Sequence, residues 1–209
     1  MRLYVSLHLP EDVSEHLDLA VRAVTDQDPA PLPGAGRPAL RWVPMGERHI
    51  TLAFFGEVPA GAVDELTSDL RSAVAAFPPL PLRLRGAGVF SGRTLWVGVQ
   101  EQEPRGHSES RSELVRLMAD CEGVGHRNTA TGGHEPVPRD RRRAHVTLAR
   151  SRDRRVGDRE LRRRARALSV YSGPPWTADS AHLMLSELGA GRSGTALHTP
   201  LAEVVLGGE

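Results

Sequence analysis

Two stretches of the chain carry one tetrapeptide pattern, His49-Ile50-Thr51-Leu52 and His145-Val146-Thr147-Leu148. Imidazole is the side chain whose ordinary pKa lets it give or take a proton near neutral pH. A hydroxyl two residues further on can donate a hydrogen bond to an oxyanion. Both copies lie among β-branched and apolar residues, "RHITLAFFGEV" and "AHVTLAR", and read as β-strands. Side chains alternate between the two faces of a strand. His49 and Thr51 then share one face, with Ile50 and Leu52 on the other. His145 and Thr147, against Val146 and Leu148, repeat the arrangement. Each copy buries two aliphatic side chains and presents an imidazole beside a hydroxyl. Two such units facing each other would make an acid–base pair with fixed donors, able to flank a phosphate.

The elements that must bring the two copies together alternate between strand and helix. Residues 2–9 read as a strand ending at Pro10, and 11–27 as a helix with an apolar stripe through Val13, Leu17 and Val24. A Pro/Gly loop over 28–38 leads to the first motif strand within 41–58. A helix over 60–77 stops at Pro78-Pro79. "LPLRLRGAGVF" and "RTLWVGVQ" form a hairpin around Ser91-Gly92. A helix over 109–120 and a polar, glycine-containing loop over 122–143 precede the second motif strand at 144–149. An arginine-rich helix over 157–168 and two closing strands, "AHLMLSEL" and "TALHTPLAEVVL", complete the chain. Hairpins imply antiparallel pairing. The expectation is an α+β fold, one domain over 1–209 built of two pseudo-symmetric lobes, each giving one His-x-Thr strand.

Composition bounds the setting. Hydrophobic residues make up 39% and charged residues 25%, ordinary for a globular protein. No apolar run approaches the length of a membrane span, and no signal-peptide core opens the chain. The single cysteine, Cys121, excludes an internal disulfide and fits a reducing cytoplasm. Cys121, His126 and His134 match no zinc spacing, so no metal is expected. The net charge is +1, but residues 139–166 hold 13 Arg against four acids, and all 27 basic residues are arginine. Guanidinium forks bind phosphate bidentately. The segment reads either as a solvated basic helix with its flanks or as a surface attracting a polyanion such as RNA. Phe55 is placed on the His49 side of its strand, where it could rim a cleft and stack on a base. Phe55, Phe90 and Trp96 all read first as packing residues, with base stacking as the alternative. His8, His16, His107, His182 and His198 read as ordinary.

Several segments, in order, resemble one family. "RLYVSLHLP", "RHITLAFFGEV", "GVFSGRTLWVGV", "HVTLAR" and "MLSELGAGRSGTALHTPLAEVVL" are similar to stretches of the 2H phosphoesterase superfamily, in its RNA 2′,3′-cyclic phosphodiesterase branch, also called 2′-5′ RNA ligase or LigT-like. The resemblance implies two antiparallel sheets facing across a cleft with helices outside. It implies hydrolysis of 2′,3′-cyclic phosphate ends of RNA to 2′-phosphate ends, without metal or organic cofactor. In some members it implies reversible 2′-5′ joining of tRNA fragments. It casts His49 as the acid at the leaving 3′-oxygen and His145 as the base, with Thr51, Thr147 and Arg150 on the phosphate. A cytoplasmic monomer acting on RNA ends is expected. Arg48 and Ala144 stand where the family often has an apolar residue or proline, and the 122–143 segment looks long and basic. Arg150 lies five residues after His145, so ideal alternation turns it away from the site, and a bulge must re-aim it. Two other readings compete: a phosphodiesterase on small cyclic or 2′-5′-linked nucleotides, and an RNA-binding module without catalysis.

Overall fold

The computed structural model describes residues 1–25, 38–102, 112–129, 142–152, 154–191 and 195–207. In chain order these form β1 (Arg2–His8), α1 (Glu11–Thr25), β2 (Leu40–Trp42), β3 (His49–Glu57), α2 (Val63–Ala75), β4 (Leu80–Phe90) and β5 (Thr94–Glu101). There follow α3 (Glu113–Thr129), β6 (His145–Ser151), α4 (Arg154–Ala167), β7 (Ser172–Ala178), β8 (Ser180–Glu187) and β9 (Leu197–Val205). Both motifs therefore open a strand, as their residue types require.

The strands pair in the order β7-β4-β5-β6-β3-β1-β8-β9, with β2 added on β6. Every pairing is antiparallel. At the centre β3 meets β6 through one register pair, Ile50↔Val146. On either side of that seam stands a four-strand antiparallel half, β3-β1-β8-β9 and β6-β5-β4-β7. Helices α2 and α3 pack on the first half, and α1 and α4 on the second. The two expected sheets are thus two halves of one curled sheet, and the α+β class holds.

Apolar periodicity explains how the helices dock. α1 buries Val13, Leu17 and Val21, and α2 buries Leu66, Leu70 and Val74, each at four-residue spacing. Both stripes join a core that includes Leu3, Val5, Ile50 and Leu52 from one half and Leu84, Leu95, Val97 and Val146 from the other. The hairpin between β4 and β5 turns at Ser91 and Gly92, with φ of 49° and 65°.

Three expectations change. α3 runs on to Thr129, through the first part of the segment read as a loop; residues 130–141 lie outside the described residues. Gly123 and Gly125 argue for a break there. Gly125 instead lets α3 press on β3, since a Cβ at that position would overlap the Phe55 ring. β7 departs from the expected order, because it contains Pro174 and Pro175 and so does not read as a strand. It is an edge strand paired only with β4, where missing N–H groups are tolerated. The third addition is the short β2, which lays Arg41 against Arg150 of β6.

Candidate active site

The two motif strands share a backbone device that extends past the His-x-Thr-Leu pattern. In β3, Val5↔Ala53 is followed by Ser6↔Thr51, so Leu52 has no partner of its own on β1. In β6, Leu95↔Ala149 is followed by Trp96↔Thr147, and Leu148 is the unmatched residue. Each strand therefore bulges one residue after its threonine. Leu52 and Ala53 are both buried, as are Leu148 and Ala149. Two successive inward residues reset the alternation. The next side chain, Phe54 in β3 and Arg150 in β6, returns to the face that carries the histidine and threonine. The re-aiming that Arg150 required is present. The same bulge overturns the placement of Phe55, which is 8% exposed in the core, while Phe54 is 47% exposed and lines the cleft.

A cavity of about 360 Å³ opens between the two halves. His49, Thr51, His145, Thr147 and Arg150 all line it. Antiparallel pairing at Ile50↔Val146 sets the motifs head to tail, so each histidine lies across from the other motif's threonine. Arg150 and Phe54 then fall on opposite sides of the seam, giving the cleft one end with Arg150 and Arg41 and another where Phe54 lies under Arg2.

Both imidazoles are fixed in the same tautomer by the same contact. His49 Nδ1 lies 2.9 Å from the Glu47 carbonyl oxygen, and His145 Nδ1 lies 2.8 Å from the Arg143 carbonyl oxygen. A carbonyl oxygen only accepts, so Nδ1 carries the hydrogen in each ring and Nε2 is left for chemistry. Burial pushes His49 down to about 4 against the opposing Glu47 hydrogen bond, with the charges of His198, His8 and Arg150 adding to the depression. Burial also lowers His145, again opposed by its carbonyl contact and reinforced by Arg150 and Arg143. Burial thus favours the neutral form of both rings.

The surroundings of the two rings differ. His49 has the Tyr4 ring at 5.1 Å and the His198 ring at 5.7 Å, and Tyr4 Oη lies 2.9 Å from His198 Nδ1. His145 meets Phe90 edge-on at 4.9 Å and Trp96 at 6.4 Å. Trp96 lies over Gly88 of β4, where any Cβ would collide with the indole. Arg48, the unusual residue before His49, is buried on the far side. It donates to the Val43 carbonyl at 3.2 Å and to Asp18 of α1 at 2.9 Å. It thereby ties down the turn whose Glu47 carbonyl holds His49.

Tyr4, Arg41, Glu47 and His198 also line the cavity. The sequence reading missed them, and His198 was set aside as ordinary. Four arginines of the charge cluster are paired with carboxylates elsewhere. Arg142 pairs with Glu122, Arg162 with Asp158, and Arg163 and Arg164 with Glu160. Of the described arginines between 139 and 166, Arg150 lines the cavity. Among the described residues no group of three or more His, Cys, Asp or Glu is arranged to hold a metal ion, and Cys121 is buried in α3. His134 lies outside the described residues. No described helix is long and apolar enough to cross a membrane.

The model of the 2′-5′ RNA ligase superfamily matches residues 15–190, taking in both motif strands. The chain belongs to that superfamily. An RNA 2′,3′-cyclic phosphodiesterase of Geobacillus stearothermophilus is 39% identical over 69 residues, covering 31% of this chain and 22% of that protein. Proteins of the same description from Methanothermobacter thermautotrophicus and Thermotoga maritima are 25% and 27% identical, over 49% and 54% of this chain and 53% and 59% of theirs. The chain thus spans between 22% and 59% of the length of these curated relatives. TT0787 of Thermus thermophilus shares the fold at a TM-score of 0.70 and 22% identity, with all of both chains covered. Escherichia coli LigT in its apo form does so at a TM-score of 0.64 and 22% identity, over 98% of this chain and 96% of that one.

Proposed function

We propose that this protein opens 2′,3′-cyclic phosphate ends of RNA to 2′-phosphate ends, without a metal ion. One observation carries the reading: two histidines on neighbouring strands, each holding Nδ1 to a carbonyl two residues back and both lining one cleft. Three relatives described as RNA 2′,3′-cyclic phosphodiesterases support the choice of reaction.

In this mechanism His145 Nε2 takes a proton from water as the water oxygen bonds to phosphorus. The bond from phosphorus to O3′ breaks, and His49 Nε2–H returns a proton to O3′. Thr51, Thr147 and Arg150 donate to the phosphoryl oxygens as charge develops there. The assignment makes a demand on His49. A ring held near 4 is not an acid at pH 7. The bound phosphodiester anion supplies the opposite charge that raises it, so the acid forms in the complex. With a 5′-hydroxyl in place of water the same transfers give 2′-5′ ligation of tRNA fragments: His145 takes the hydroxyl proton as its oxygen bonds to phosphorus, the bond to O3′ breaks, and His49 protonates O3′. In this reading residues 1–209 act as one cytoplasmic, monomeric domain of two pseudo-symmetric lobes.

The test is the product of an RNA ending in a 2′,3′-cyclic phosphate. A 2′-phosphate end should form equally well in EDTA. His49→Ala and His145→Ala should each lower kcat by about 10²–10⁴-fold with the fold intact by circular dichroism. Wild-type-like turnover by either variant, or loss of activity in EDTA, overturns the proposal. Acid and base are told apart with a sulfur leaving group at the 3′ position, which departs without a proton. It should restore turnover to His49→Ala and not to His145→Ala.

A further inference from the structure

Arg41 is one strand away from Arg150, and the two are directly opposed in the β2/β6 ladder. Both line the cavity. Like charges at opposed ladder positions are destabilising. Nothing among the described residues relieves this pair, since neither arginine makes an ion pair or side-chain hydrogen bond there. The contrast with their neighbours is sharp, because Arg142, Arg162, Arg163 and Arg164 each have a carboxylate within 3.0 Å.

The strand that carries Arg41 is only three residues long, yet it is firmly held. Val43 N–H donates to the Leu148 carbonyl and Arg152 N–H to the Ala39 carbonyl, both at 2.8 Å. Leu40, beside Arg41, is buried in the core. The backbone thus fixes a cation on the cleft wall at a position where it repels its neighbour.

Charge counting says what the pair is for. A cyclic phosphodiester carries one negative charge, which Arg150 alone can match. Arg2 and Glu47 also line the cavity with opposite charges, so Arg41 is left as one positive charge in excess, at the Arg150 end of the cleft. We propose that Arg41, sharing Arg150, binds a second and non-reacting phosphate, the one on the 5′ side of the terminal nucleotide. The preferred substrate is then a phosphorylated nucleotide or a chain, not a bare nucleoside cyclic phosphate. The Arg41 fork can hold two oxygens of that phosphate while Arg150 reaches across both phosphates, whether the second is a diester in a chain or a 5′-monoester. The inference rests on the phosphodiesterase reading for the position of the first phosphate.

Two product-like ligands test it without requiring turnover: adenosine 2′-phosphate and adenosine 2′,5′-bisphosphate, titrated by calorimetry at low salt. The bisphosphate should bind the wild-type protein about ten- to a hundredfold more tightly, the range for hydrogen bonds between charged groups. Arg41→Met should erase most of that ratio, and Arg41→Lys should restore part of it. Arg163→Met, an equal charge change on α4, should leave it alone. Equal affinities for the two ligands, or a ratio that survives Arg41→Met, overturns the second-phosphate site. The kinetic counterpart compares kcat/KM for adenosine 2′,3′-cyclic phosphate with and without a 5′-phosphate. Turnover of both at equal rates removes the second site and leaves the phosphodiesterase standing. No turnover of either removes the phosphodiesterase, and the calorimetric ratio still decides the second site.

Discussion

In β3 the residues that reach the cleft are His49, Thr51 and Phe54; in β6 they are His145, Thr147 and Arg150. The two halves handle the backbone alike. Each pins the histidine Nδ1 to the carbonyl two residues back, and each bulges at the leucine after the threonine. They part at the sixth residue and in what surrounds the ring. The β3 half offers an aromatic face with Arg2 above it at 4.8 Å, and a tyrosine–histidine pair beside His49. The β6 half offers Arg150, the opposed Arg41, and aromatic edges around His145. Repetition thus places two imidazoles in one tautomer, and in the proposed mechanism the asymmetry decides which one faces water and which the leaving oxygen.

The largest test of that asymmetry sets Arg150 against Phe54. Arg150→Ala should lower kcat by about 10²–10³-fold, as loss of a fixed donor to developing charge does. Phe54→Ala should instead act on KM, by about tenfold, as loss of a stacking surface does. Steady-state kinetics on a cyclic-phosphate-ended oligonucleotide separates the two. A Phe54→Ala variant crippled mainly in kcat would mean that both ends of the cleft serve the reacting phosphate.

A smaller difference lies behind the two strands. β3 is anchored by Arg48 to Asp18 of α1, with side-chain exposures of 3% and 16%. Just before β6, Arg142 pairs with Glu122 of α3, at 25% and 18%. Removing one partner of a buried pair strands the other charge, whereas a partly solvated pair contributes little. Asp18→Ala should therefore cost about 3 kcal/mol in urea unfolding and Glu122→Ala about 1 kcal/mol. Equal losses would show that the two anchors are equivalent and that the burial of Arg48 has no bearing on stability.

How much of this could be read from the residues alone depends on how local each feature is. The His-x-Thr pairs are spelled out in sequence, and so was the conflict at Arg150, because five positions cannot share a face on a regular strand. The sign of the bulge was also there: after Ile50 and Leu52 alternate, Ala53 adds a second apolar residue in succession, and Val146, Leu148 and Ala149 do the same. In β6 the bulge follows from the demand on Arg150 alone; with no such demand β3 reads as a regular strand, which misplaces Phe55. Arg41, Tyr4 and His198 could not be read this way. They reach the cleft from β2, β1 and β9, and only long-range strand pairing brings those strands together. β7 was hidden by its prolines and the end of α3 by its glycines, because edge position and close packing override local propensity.

The two histidines should also differ as acid-sensitive elements of the fold. For His49 the folded state binds its proton near 4, against an ordinary value of 6.5. Between those two values the unfolded chain takes up more protons than the folded one, so stability rises with pH there. Acidification from pH 7 should therefore remove stability progressively from about 6.5 down to about 4, by an amount on the order of 2 kcal/mol. His49→Asn keeps a donor for the Glu47 carbonyl but cannot titrate, so its loss of stability between pH 7 and pH 4.5 should be smaller by most of that amount. His145→Asn shifts the curve in the same direction and by less, since burial depresses that ring less strongly. The lowered values of His8 and His198 add a background of the same sign to wild type and both variants. Urea midpoints at a series of pH values measure the difference between the variants. If the two asparagine variants lose stability in parallel, then His49 is no more desolvated than His145. The demand that substrate must raise His49 before it can act as the acid would lose its basis with it.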